Sequence, residues 1–137
     1  MSRKVRIKTS LSVNIDGTEE RMIHSFRGEW RVREETHLLS HDEEDNRGRT
    51  NILLDCNAVE IRRKGIVSSR MRFVKDRGVE AEYITPHGQI PMTTITTEMS
   101  SQVNATDGKV NVCYTLQTDE KSLSENRLEI EWETTEE

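Results

Sequence analysis

The 137-residue chain carries 20 Lys and Arg against 25 Asp and Glu, a formal net charge of −5, with 32% hydrophobic and 33% charged residues. That length suits a single domain, 1–137, and the acidic balance argues against a protein whose whole surface grips nucleic acid or anionic lipid. No apolar run approaches a membrane span, the basic start MSRKVRIKTS lacks the apolar core of a secretory signal, and Cys56 and Cys113 have no metal-ligand spacing. A reducing cytoplasm without membrane attachment is therefore the expected setting.

From Val5 to Ile15 the odd positions are apolar or threonine and the even ones polar, the period-two pattern of a half-buried strand. Asp16-Gly17 predicts a tight hairpin, and the return strand sets Met22, His24, Phe26, Gly28, Trp30 and Val32 on one face. Gly28 inside so long a strand predicts a bend or bulge. A polar turn at Glu34-Glu35 leads to a short strand around Leu38 and Leu39, and HDEEDNRG, 41–48, reads as a solvated loop. Strands follow over 50–56 and 58–64 with a turn at Asn57, then a strand after Gly65 carrying Val67, Ser69, Met71 and Phe73 on one face. Asp76-Arg77-Gly78 turns the chain into Val79, Ala81, Tyr83 and Thr85, and Thr85-Pro86-His87-Gly88 has the residues of a β-turn.

Between Gln89 and Ala105 the apolar parity changes, which predicts a bulge near Thr93-Thr94 in one long strand. Asp107-Gly108 predicts another hairpin. The last strands carry Val110, Val112, Tyr114 and Leu116, then Leu128, Ile130 and Trp132, with a polar loop over 118–126. No helix of usable length is expected. The fold class is all-β, an antiparallel barrel of about eight to ten strands, because closure removes the unpaired edges that a hairpin meander otherwise leaves. A flattened sandwich of the same strands is the alternative.

The run Arg63-Lys64-Gly65, Met71-x-Phe73, Tyr83-x-Thr85-Pro86-x-Gly88, Thr96, Gly108 and Tyr114-x-Leu116 resembles the YwiB-like family, small proteins of unknown function from low-GC Gram-positive bacteria. The resemblance covers most of the chain, including Gly28-Glu29-Trp30, where the family carries a different aromatic at the tryptophan. It implies a calycin-like, lipocalin-related β-barrel and brings no catalytic residues with it. Ligand binding inside such a barrel is an analogy of fold only.

Arg63 shares the parity of Val59 and Ile61, whereas Arg62 and Lys64 point the other way, so a guanidinium faces the apolar side of the sheet. Such a charge needs an anionic partner or an open end of the barrel. It suits the anionic head of a ligand whose apolar part fills the barrel, and equally a structural ion pair or an arginine whose head snorkels at the rim. His24, Tyr83 and Thr85 are further polar points for such a pocket, with Met71, Phe73 and Trp132 as lining. Against this, a core histidine bonded to a carbonyl and aromatic residues that merely fill space are the commoner roles of these residue types.

His37 and His41 beside the acids 42–45 form a weak metal signal, since zinc ligands need a rigid frame. Between Arg62 and Arg77 seven basic residues face one acid, leaving the rest of the chain with eleven surplus negative charges. Arg62, Lys64, Arg70, Arg72, Lys75 and Arg77 thus offer a surface for RNA or an acidic protein, or simply a solubilising strand face. There is no Gly-x-Ser-x-Gly elbow, phosphate-binding glycine loop or His-Glu-x-x-His, so no catalytic residue, metal or cofactor is expected. The leading expectation is a non-enzymatic barrel binding a small amphipathic or anionic ligand. The alternative is an interaction protein with a solidly packed barrel that uses its basic surface.

Overall fold

The computed structural model describes residues 2–43, 48–118 and 121–135. Ten strands follow one another: β1 (Ser2–Ile15), β2 (Thr18–Arg33), β3 (Thr36–Asp42), β4 (Gly48–Leu54), β5 (Ala58–Gly65), β6 (Ser68–Val74), β7 (Gly78–Thr85), β8 (Gly88–Val103), β9 (Asp107–Thr118) and β10 (Lys121–Thr134). Each pairs antiparallel with its neighbours in sequence, and β1 pairs with β10 from Val5↔Thr134 to Asn14↔Glu125, so the sheet is a closed barrel. Among the described residues no helix is long and apolar enough to cross a membrane.

The hairpin between β1 and β2 turns on Asp16 and Gly17, both at positive φ (49° and 84°), as a two-residue turn with matching right-handed twist requires. The hairpin between β7 and β8 turns on Pro86 and His87. There the Thr85 hydroxyl donates to the Gly88 carbonyl and accepts from the His87 amide.

Several expected features lie elsewhere. The bulge in β8 falls between Thr96 and Glu98, not at Thr93-Thr94. On the other side of β8, β6 and β7 pair only at Ser68↔Ile84, Ser69↔Tyr83 and Arg70↔Glu82. Beyond that point β8 fills the gap: the Thr94 hydroxyl donates to the carbonyls of Arg72 and Val79, and the Asp76 amide donates to Thr96. Gly28 causes no register shift with β1 or β3. It is needed for space, since a Cβ there would lie 2.3 Å from the Ser40 carbonyl oxygen and 2.8 Å from Ile7.

The expected loop 41–48 is shorter, because His41 and Asp42 belong to β3; residues 44–47 lie outside the described part. The expected loop 118–126 is largely β10, with 119–120 outside the described part. Ser124 and Asn126 turn inward there and are buried, tied to each other (3.0 Å) while Asn126 Nδ2 donates to the Tyr114 carbonyl.

The strands differ in length, and that shapes the interior. β2 runs beside β1 throughout but pairs with β3 only from Gly28 to Arg33, so its first half projects past the short wall of β3 to β7. At the opposite end the barrel is packed. Trp30 and Trp132 meet edge to face (5.7 Å), Phe73 packs on Tyr114 (4.6 Å), and Val5, Ile7, Leu39, Leu54, Val59, Val110 and Val112 fill the space between. Trp30 Nε1 donates to His37 Nδ1 (3.1 Å), and the Arg3 guanidinium lies 3.9 Å over the Trp30 ring.

A candidate ligand cavity inside the barrel

At the projecting end the barrel holds an open cavity of about 620 Å³. Its apolar wall comes from inward positions of several strands: Leu11 on β1, Met22 and Phe26 on β2, Ile52 on β4, Ile61 on β5, and Leu128 and Ile130 on β10. Thr9, His24, His41, Glu43, Thr50, Arg63 and Tyr83 add polar groups.

These polar groups are organised. Thr50 on β4 pairs across the sheet with His41 on β3 and Arg63 on β5, placing all three in one inward row. Glu43 follows β3, and its amide donates to the Gly48 carbonyl (2.9 Å), closing the base of the hairpin. Gly48 lies flat against β5, where a Cβ would sit 2.2 Å from the Lys64 carbonyl oxygen. The hairpin base is thereby held against Arg63, and Glu43 Oε1 forms an ion pair with Arg63 Nε at 3.0 Å and accepts from the Thr50 hydroxyl. The Glu43 side chain is 22% exposed and that of Arg63 49%. His41 stacks flat on Phe26 (3.8 Å, 11°), with His24 next in the row (6.0 Å from Phe26). Burial lowers the His41 pKa below the ordinary histidine value; the Asp42 carbonyl and Glu43 work against that, and Arg63 and Arg49 reinforce it. Burial thus favours the uncharged ring of His41 beside the Glu43–Arg63 ion pair.

Of the residues singled out in the sequence, Arg63, His24 and Tyr83 line this cavity. Met71 packs against the core from beside it, and Phe73 is fully buried deeper in the barrel. Thr85 serves the turn between β7 and β8, and Trp132 lies at the packed end. Glu43, His41, Thr50 and Phe26 complete the site. The signal for Glu43 is the alternation of β3 itself, because Leu39, His41 and Glu43 share one parity. Among the described residues no group of three or more His, Cys, Asp and Glu side chains is placed to hold a metal ion.

The outer basic face is organised around one acid. Glu60 faces outward on β5 yet is only 4% exposed, covered by the arginines that bind it. Arg62 Nε lies 2.7 Å from one carboxylate oxygen, Arg70 Nε 3.1 Å from the other, and Arg72 Nη1 3.9 Å away. Burial acts to raise the Glu60 pKa, but the hydrogen bonds from Arg70 and Arg62 and their charges outweigh it and hold the carboxyl below its usual range.

A family model described as Domain of unknown function (DUF1934) matches residues 5–130. The chain belongs to this family. A solved structure, the crystal structure of ywiB protein from Bacillus subtilis, is similar with a TM-score of 0.88 and 20% identity, covering 98% of this chain and 94% of that one. At that identity the likeness establishes a shared fold, the ten-stranded barrel, over nearly the whole of both chains. Among curated proteins, none matches the sequence significantly. Membership of DUF1934 carries no activity with it, so the functional argument rests on the cavity.

Proposed function

We propose that this member of DUF1934 is a non-enzymatic, calycin-like barrel that binds a small amphipathic molecule, its apolar part in the barrel and its head beside Arg63. One observation carries this reading. A cavity of about 620 Å³, within the usual range for ligand sites, combines an apolar wall with polar groups of which His41, Glu43, Thr50 and Arg63 lie together. The lining's one described carboxylate, Glu43, is already engaged by Arg63 and Thr50, which supports binding over catalysis. The exposed Cys56 and half-buried Cys113 are free thiols, in keeping with a reducing cytoplasm.

The basic face is the weaker reading. Arg62, Arg70 and Arg72 direct much of their charge to Glu60, and Glu82 stands opposite Arg70 on the next strand. Comparing intact mass under native and denaturing conditions, on protein purified gently from its own cells, tests the proposal. A discrete mass lost on denaturation, and absent from Arg63→Met, is the expected result. An unchanged mass, with retention of RNA or an acidic protein that charge reversal at Arg62 and Arg70 abolishes, would replace the cavity reading with the surface one.

A further inference from the structure

Resting on the cavity reading, we infer that the ligand's head is anionic and bound by the open edge of the Arg63 guanidinium, and that Glu43 is a resident counter-ion limiting how strongly that charge is held. A guanidinium presents two edges to anions, one through Nε and one through its two terminal nitrogens. Glu43 takes the Nε edge at 3.0 Å. The terminal nitrogens have no hydrogen-bond partner among the described residues, and Arg63 lines the cavity with its side chain half exposed. The edge suited to side-by-side binding of a carboxylate or sulfonate is thus the one available to a ligand.

Glu43 is not a stray surface acid that happens to lie near. Its amide is bonded to Gly48, its carboxylate accepts from Thr50, and close packing of Gly48 on β5 sets the distance to Arg63. With Glu43 in place the pair is neutral as a whole. A monoanion is attracted to the near edge of the guanidinium and only weakly repelled by the carboxylate behind it. Removing the carboxylate charge should raise affinity for an anionic head and leave an uncharged molecule of the same shape unaffected.

A matched pair of fluorescent probes tests this: anilinonaphthalene sulfonate and its uncharged parent, phenylnaphthylamine, titrated against wild type, Glu43→Gln, Arg63→Met and the double variant. Glu43→Gln is expected to bind the sulfonate about tenfold more tightly, given one charge partly screened at the cavity mouth, with affinity for the parent unchanged. Arg63→Met should lose the preference for the sulfonate, and the double variant should match Arg63→Met. If Glu43→Gln leaves the ratio of the two affinities unchanged, or weakens the sulfonate, the counter-ion role is overturned while the cavity reading stands. If neither probe binds wild type or Glu43→Gln, the cavity reading falls, and this inference with it. Should Glu43→Gln not fold, Glu43→Met, which removes the same charge at similar size, carries the same test with the same expected ratio of affinities.

Discussion

Replacing Glu60 by glutamine keeps the size of the side chain and removes its charge. In the wild type the carboxylate receives Nε–H groups from Arg62 at 2.7 Å and Arg70 at 3.1 Å, and those arginines stand directly opposite each other in the β5–β6 ladder. A hydrogen bond to a charged group contributes about 1.5–3 kcal/mol, but both arginine side chains are about half exposed, 49% and 52%, so screening reduces each to about 1 kcal/mol. The loss is then about 2 kcal/mol, with the facing arginine charges left unbridged. For a chain of this length that corresponds to a fall in Tm of about 6–8 °C.

The pH dependence carries the sharper test. The Glu60 carboxyl is held below its usual range in the folded state, so its stabilisation is fully present above the unfolded carboxyl value, about 4.3, and is lost as pH falls through the folded value. Thermal unfolding of wild type and Glu60→Gln, followed by circular dichroism from pH 7 down to pH 3, should show a constant gap above about pH 5 that closes toward pH 3. A difference under about 1 °C at neutral pH, or a gap undiminished in acid, would refute the account of Glu60 as the organising charge of this face.

Three further outcomes follow from the packing. His41 is held neutral by burial, so its ring should titrate below about 6.5 in a proton NMR series, and stability should decline as pH drops below that value because the unfolded imidazole takes the proton first; a midpoint at or above 6.5 contradicts the burial argument. Gly28→Ala forces a methyl to within 2.3 Å of the Ser40 carbonyl oxygen and should destabilise by about 3 kcal/mol in urea unfolding, an alanine tolerated within about 0.5 kcal/mol being the contrary result. Phe73→Ala removes a fully buried ring from its contact with Tyr114 and should cost about 3–5 kcal/mol, and an unchanged urea midpoint would show that the core is not packed at that point.

Alternation was legible wherever one face of a strand is buried and the other wet. Val5, Ile7 and Leu11 on β1, and Val110, Val112 and Tyr114 on β9, mark their inward faces in the sequence alone, and the same parity places Arg63 on the cavity wall. The pattern misleads where polar side chains satisfy one another inside. Ser124 and Asn126 read as loop because isolated polar residues are costly to bury, but their mutual hydrogen bond and the Tyr114 carbonyl remove that cost. Glu43 was obscured by the acids that follow it, since a run of like charges reads as solvent-facing whatever its parity. The position of the bulge in β8 is a matter of its register against β9, a relation between two strands that the pattern of one strand does not record. Closure depends likewise on the register of the first strand with the last.

The uneven filling of the barrel follows from strand number and aromatic supply together. A ten-stranded barrel is wider than an eight-stranded one, whose interior side chains can just fill, and this chain has only two residues each of Phe, Trp and Tyr to span it. Trp30, Trp132, Phe73 and Tyr114 lie in the packed core, whereas Phe26 and Tyr83 line the cavity. Scarcity alone does not account for the space, because the cavity wall uses small polar side chains at Thr9 and Thr50, inward positions where Ile or Leu would occupy part of it. Each buried methylene forgone there gives up about 0.8 kcal/mol. Thr50 instead holds Glu43, and Glu43 holds Arg63, so the stability relinquished at this end maintains a charged pair beside an open apolar volume. Thr9 and Thr50 thus leave room at this end, and Thr50 at the same time holds the charged pair against the cavity wall.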